Sequence, residues 1–213
     1  MNQLIPVAAA LGLIMAVAQD PVKPIPPSTE KGVAADKAKP AKPLTIPELK
    51  AQLKDSSAVV RRSAAQQLGA FGVRALEAVP AMIEALADAE PMVRATVAEA
   101  LGGIGVTAKS AVPTLIKLLK DSNASVRETA AEALADIGVD APKVVPALME
   151  LLSDSDMNVR CAGAKSLGDY RAAARDALPA LEKMQKQDKH PFARDAAAEA
   201  VQTIKKALQK LDS

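Results

Sequence analysis

Apolar and polar positions along this chain follow a helical rhythm, and the rhythm restarts every 33 residues. In the stretch Lys109–Ala141, Leu115, Ile116 and Leu119 recur at the spacing of one helical face. The polar turn Asp121-Ser122-Asn123-Ala124 interrupts them. A second stripe follows, Val126, Ala130, Leu134 and Ile137, at i, i+4, i+8 and i+11. Gly138 closes it, as Gly72 and Gly105 do in their units, at the place where a helix ends on a left-handed residue. Each unit therefore predicts a helical hairpin.

Three further columns keep the same time. Pro47, Pro80, Pro113, Pro146 and Pro179 mark the start of each first helix, where a missing N–H has no partner to lose. Arg61, Arg94, Arg127 and Arg160 stand at the start of each second helix, with Arg194 one residue late. Asp55, Asp88, Asp121 and Asp154 stand in the turns between. The units are 45–75, 76–108, 109–141, 142–174 and 175–207, followed by a tail over 208–213. Such a period predicts an all-α solenoid of about five stacked hairpins. The last helix lacks a closing glycine, with Lys205 in its place, and is expected to run on past 207. In the first helices, the columns Lys50, Ile83, Ile116, Met149, Glu182 and Leu53, Leu86, Leu119, Leu152, Gln185 are apolar in the middle and polar toward the ends. Solenoid ends are blunted against water in this way, so five repeats are expected to be the whole array.

The recurring pattern is apolar-Pro-x-Leu-apolar-x-x-Leu, then Asp, then Val-Arg-x-x-Ala-Ala-x-x-Leu-Gly-x-Ile-Gly. Val93-Arg94, Val126-Arg127 and Val159-Arg160 are in phase with Leu101, Leu134 and Leu167. This resembles HEAT-like repeats of the phycobilisome-lyase type over residues 45 to 207. The resemblance implies an Asp–Arg ladder between repeats, with Asp55, Asp88, Asp121, Asp154, Arg61, Arg94, Arg127, Arg160 and Arg194 in a structural role. It also implies that the second helices line the concave side. Ankyrin repeats share the length, but their Thr-Pro-Leu-His signature is missing, and tetratricopeptide repeats expect aromatics.

Composition removes several kinds of chemistry. The chain has two Phe, one Tyr and no Trp, so its core must be filled by aliphatic residues. From residue 45 onward 22 basic and 22 acidic residues balance, a poor electrostatic footprint for nucleic acid. HEAT-like metal-dependent hydroxylases use several His-Glu pairs, and HEAT-like DNA glycosylases use aromatics and a basic groove; one histidine, His190, supplies neither set. His190 falls in the turn Asp188–Pro191, where the one-residue insertion of the last unit is expected. Cys161, the single cysteine, shares a column with Arg62, Ala95, Glu128 and Asp195 and is expected to face solvent, without a neighbouring base that would make it a nucleophile. Gly102-Gly103-Ile104-Gly105 is the end of a helix and has neither the strand nor the lysine of a phosphate loop. Tyr170 falls in a core column with its hydroxyl at the edge. No residue matches the bilin chemistry of particular lyases, so no cofactor and no catalytic or metal-binding residue is expected.

What remains is surface. Opposite the apolar stripe of the second helices stand Arg62, Gln66, Ala95, Glu99, Glu128, Glu132, Cys161, Lys165, Asp195 and Glu199. This face is acidic in the middle, which fits either a solvated helix face or a shallow groove for a basic peptide or loop of a protein partner. The expected function is a non-enzymatic interaction scaffold; the alternative is an accessory subunit or maturation factor of the lyase type. Before the repeats, Leu4–Ala18 is an uncharged apolar run ending in Ala16-Val17-Ala18, which predicts a signal peptide over 1–18 and cleavage before Gln19. The same run left uncleaved would be the one membrane attachment. Residues 19–44 carry six prolines and five lysines and read as an extended linker. Together these segments predict an extracytoplasmic, periplasmic or secreted, protein.

Overall fold

The computed structural model describes residues 44–211. The leader and all but the last residue of the linker lie outside the described residues. Two sets of helices alternate along the chain. The first helices of the hairpins are α1 (Ile46–Gln52), α3 (Val79–Ala85), α5 (Val112–Leu118), α7 (Ala141–Leu151) and α9 (Leu178–Gln187). The second helices are α2 (Ala58–Ala70), α4 (Pro91–Ile104), α6 (Ala124–Ile137), α8 (Met157–Asp169) and α10 (Pro191–Gln209). Among the described residues there is no strand; the fold is an all-α solenoid.

Local chemistry places the helix ends. Asn123 caps α6 by accepting from the N–H groups of Ser125 and Val126, and Asp156 caps α8 by accepting from Asn158 and Val159. Between hairpins, Gly72 (φ 55°), Gly105 (φ 73°) and Gly138 (φ 66°) take up a positive φ that a Cβ disfavours. Short 3-10 turns over Gly72–Ala78, Gly105–Ala111 and Arg171–Ala177 then lead into α3, α5 and α9. The fourth hairpin is different: α7 starts at Ala141, so Pro146 is inside the helix rather than in its first turn. The Tyr170 hydroxyl bonds carbonyls just before this helix. It lies 2.9 Å from Leu134 O and 3.0 Å from Val139 O and donates to this pair of carbonyls. Burial, with the Asp140 charge adding to it, pushes the Tyr170 phenol up to about 12.

The core is a stack of aliphatic columns. Leu49, Met82, Leu115, Leu148 and Leu181 are fully buried at identical positions of the five first helices. Leu68, Leu101, Leu134 and Leu167 do the same in the second helices. The column from Lys50 to Glu182 is half-buried in every unit. At the last unit its Glu182 accepts from Lys205 Nζ at 2.7 Å. Successive second helices pack directly flank to flank, whereas the first helices barely meet one another. The array therefore curves with the second helices on its inner side. Small residues permit the close approach: a Cβ built on Gly69 would fall 2.9 Å from Ala100 Cα. Backbone at that distance cannot swing aside as a flexible side chain can.

Arginine and aspartate tie each repeat to the next. Arg61 donates from Nε to Asp88 Oδ2 at 2.6 Å and from Nη2 to Oδ1 at 2.8 Å. Arg94 grips Asp121 at 2.8 and 2.7 Å, and Arg127 grips Asp154 at 2.8 Å on both oxygens. Arg160 grips Asp188 at 2.7 and 2.9 Å. The free Nη1 of each arginine faces its own turn; that of Arg127 donates to Asp121 O at 2.8 Å. Each aspartate also holds its own turn, Asp121 Oδ1 accepting from Asn123 N at 2.9 Å. At the ends the ladder is one-sided. Asp55 accepts from Ser57 N at 2.7 Å, and Arg194 donates to Asp188 O at 2.9 Å. The Arg61 hydrogen bond holds the Asp88 carboxyl below its ordinary range against burial, and Arg160 does the same for Asp188.

Two sequence expectations shift. The extra residue of the fifth unit does not sit in the Asp188–Pro191 turn. That turn repeats the earlier ones, with His190 N donating to Asp188 Oδ1 at 2.9 Å. The added residue lies upstream, in α9, and Asp188 is a ladder residue that a fixed count from Asp154 does not reach. The proline of the 33-residue column opens the first helix in every unit but the fourth, where Pro142 takes the opening turn and Pro146 is internal. The final helix, by contrast, runs on past 207 as its missing glycine predicts, and ends at Gln209.

Two outcomes are expected from this packing. Gly69→Val should destabilise the array by about 1–3 kcal/mol, read as a lower midpoint in urea, because the added methyls collide with α4. The bridged carboxyls of Asp88, Asp121, Asp154 and Asp188 are depressed in the folded chain, so their contribution is complete above about pH 4 and is lost as pH falls through their folded values. Thermal melts followed by circular dichroism from pH 7 to 3 should therefore show the Tm falling below about pH 4. Asp88→Asn should lower the Tm at pH 7 and flatten that acid limb.

Candidate functional site

The inner face of the array consists of the exposed positions of α2, α4, α6, α8 and α10. Arg62, Gln66, Glu99, Glu132, Lys165, Asp195 and Glu199 are exposed there, and Glu128 is half-buried. Two positions expected on this face behave otherwise. Ala95 is buried at 7% exposure, because the helices pack closely enough to cover so short a side chain. Cys161 is half-buried, and burial pushes its thiol up, away from the thiolate a nucleophile needs. Ser166, one turn beyond it, is buried, and its hydroxyl donates to Ala131 O of the preceding second helix at 3.0 Å.

The acidic strip is longer than the sequence columns indicate. Asp136 on α6 and Asp169 at the end of α8 extend it, both exposed. They occupy the next turn of the same face, four residues after Glu132 and Lys165. Continuing the helical count by one more turn would have found them. Burial and the nearby carboxylates of Glu128 and Asp136 push the Glu132 carboxyl up, with Lys165 opposing. Burial and the Asp136 charge push Asp169 up, with Arg171 opposing. These carboxylates are close enough to repel one another, and one cation among them, Lys165, offsets only part of that repulsion.

Shallow clefts open between neighbouring second helices on this face. One, of about 180 Å³, is floored by Gly69 and Ala100 and flanked by Gln66 and Glu99. Another, of about 330 Å³, repeats the arrangement three units on, with Gly168 and Ala200 as floor and Lys165 and Glu199 as flanks. The small residues that let the helices approach thus also leave notches along the inner face, each with a carboxylate on its rim. The notches are open and lack the enclosed, apolar walls of a small-molecule pocket. Among the described residues no group of three or more His, Cys, Asp or Glu side chains is placed to hold a metal ion. None of the described helices is long and apolar enough to cross a membrane.

The ladder residues stand apart from this face. Their side chains, from Arg61 with Asp88 to Arg160 with Asp188, are between 7% and 14% exposed and are consumed by one another and by turn carbonyls.

The family described as HEAT repeats matches residues 46–135 and 112–202. The complex of CpcE and CpcF of phycocyanin lyase from Nostoc sp. PCC7120 is similar over 82% of this chain and 70% of that chain, with 29% identity and a TM-score of 0.68. An engineered protein is similar over 76% of this chain and 80% of its own, with 22% identity and a TM-score of 0.61. A designed armadillo repeat protein covers 79% of this chain and 87% of its own, with 21% identity and a TM-score of 0.60. The last two likenesses are of fold alone. No curated protein matches the chain.

The mutual repulsion on the inner face has a measurable consequence. Glu132 is raised in the folded chain, so its ionisation opposes folding once pH exceeds the unfolded value of about 4.3. Glu132→Gln is expected to raise the Tm at pH 7, and the gain should vanish when the melts are repeated near pH 3.

Proposed function

The chain belongs to the HEAT-repeat family, and on that premise we propose that it is a non-enzymatic scaffold whose inner face holds an extended basic peptide or loop of a protein partner. The observation that carries this reading is the strip Glu99, Glu128, Glu132, Asp136 and Asp169. Folding does not use these carboxylates, and two of them are raised by burial and neighbouring acids. Charge kept in place at a cost to stability is better explained by a ligand than by packing. An extended basic segment would place cations against the strip and insert small side chains into the notches between second helices, with affinity summed from many weak contacts. Export, through cleavage before Gln19, is part of the same proposal. It rests on the apolar run Leu4–Ala18, and N-terminal sequencing of the mature protein tests it; a start elsewhere than Gln19 would contradict it.

A second reading is favoured by one finding, the 29% identity to the phycocyanin lyase complex. On that reading the scaffold is an accessory subunit or a maturation factor of the lyase type. Incubation with bilin, followed by absorbance, separates the two, since only the second reading predicts a stoichiometric coloured complex.

The direct test is fluorescence anisotropy with a labelled lysine- and proline-containing peptide and an acidic peptide of equal length. The basic peptide should bind, weaken as salt rises, and lose binding when Glu99, Glu128 and Glu132 are reversed to lysine. Equal affinity for both peptides, or binding unchanged by the reversal, would move the site elsewhere.

A further inference from the structure

The opposite charge gathers at the C-terminal end of the array. A cleft of about 310 Å³ lies between the turn after α8 and the last part of α10, lined by Arg171, Thr203, Lys206, Ala207 and Lys210. Three cationic side chains from two separate elements share it. Among the described residues neither Arg171 nor Lys206 has an ion-pair partner; Arg171 feels the Asp169 carboxylate only at a distance. Lys205, next to Lys206 in sequence, pairs with Glu182 instead. Thr203 donates its hydroxyl proton to Glu199 O at 2.9 Å, so in the cleft its oxygen can only accept, and the cations must do the binding.

The backbone at Arg171 points the same way. Counting by 33 from Gly72, Gly105 and Gly138 lands on residue 171, and all four sit at positive φ. Three units meet that conformation with glycine. The fourth keeps an arginine at φ 51°, where a Cβ is strained. Nothing in the fold requires a guanidinium there, since no ladder contact or turn carbonyl engages it. Strain tolerated at one member of a repeated set, beside a cleft already lined by cations, marks a side chain retained for what it binds.

We propose that this cleft binds a phosphate-bearing anion, with Arg171 and Lys206 as its principal ligands. A guanidinium presents paired N–H donors that match two oxygens of a tetrahedral oxyanion, and an ammonium adds a mobile point charge. The volume accommodates a phosphate ester or the phosphate of a lipid headgroup. The site lies at the end of the array, just past Asp169, the last carboxylate of the acidic strip.

The glycine of the sister repeats supplies the discriminating variant. Arg171→Gly removes the cation and relieves the backbone at once, so it should leave the Tm unchanged or raised while weakening the anion about tenfold or more. Full-length protein, Arg171→Gly and Lys206→Gln would be titrated with inorganic pyrophosphate by calorimetry and with vesicles of phosphatidylglycerol mixed into phosphatidylcholine by sedimentation. The lysines of residues 19–44 are common to all three proteins, so only the difference between variants is read. Arg171-dependent binding of pyrophosphate assigns a soluble phosphate, and Arg171-dependent binding of anionic vesicles alone assigns a headgroup. Absence of saturable binding in both arms, or binding that Arg171→Gly leaves intact, overturns the proposal. So does a Tm that falls in Arg171→Gly with affinity unchanged, which would make the arginine structural.

Discussion

The bidentate bridge from the arginine of one repeat to the aspartate of the next is the constraint on which this structure depends. Burial of aliphatic columns supplies most of the driving force, but it is non-directional and would tolerate a slip of one helix past another. The bridge does not tolerate it. Each arginine fastens its own turn through Nη1 and the following turn through Nε and Nη2. Each aspartate, in turn, organises its own loop by accepting from the N–H two residues on. One pair therefore fixes a turn, a neighbouring turn and the register between them. Since the partners are largely covered, removing one leaves the other with a desolvated charge.

Most of this architecture is legible in the sequence because a repeat prints each interaction several times. Proline, arginine and aspartate columns would be weak signals singly; at a shared interval they identify turns and helix starts. The misreadings arise where the interval is not constant or where side-chain size overrides angle. Asp188 escapes a count of 33 from Asp154, which lands on Gln187, yet the six-residue spacing to Arg194 matches that from Asp154 to Arg160. Spacing inside a functional unit is the stiffer ruler, because the arginine must reach the carbonyls of its own turn. Pro146 keeps its place in the count although the helix around it begins earlier, after Asp140 takes up a left-handed conformation. Ala95 has the angle of an exposed residue but is too short to escape neighbours that pack closely. Asp136 and Asp169 were within reach of the same helical geometry, one turn further along the face.

The fold separates stability from display. Columns and ladder use the inward-facing stripe and the turn edge, leaving the inner faces of the second helices free to carry charge that packing does not need. On that free surface the carboxylates of α4, α6 and α8 accumulate in the middle, whereas the cations of the Arg171 turn and α10 gather at one end. Glycine and alanine link the two aspects. They allow second helices to approach closely, which curves the array, and they leave notches on the surface that results.

A double-mutant cycle across Arg127 and Asp154 tests the central claim most directly. Arg127→Ala, Asp154→Ala and the double variant would be unfolded in urea under two-state conditions. If the bridge holds the repeats in register, the two losses should be coupled by about 1–3 kcal/mol, the double variant being less impaired than the sum of the singles. Losses that add to within about 0.5 kcal/mol would mean that the two residues act independently, and the account of the ladder as the tie between repeats would fail.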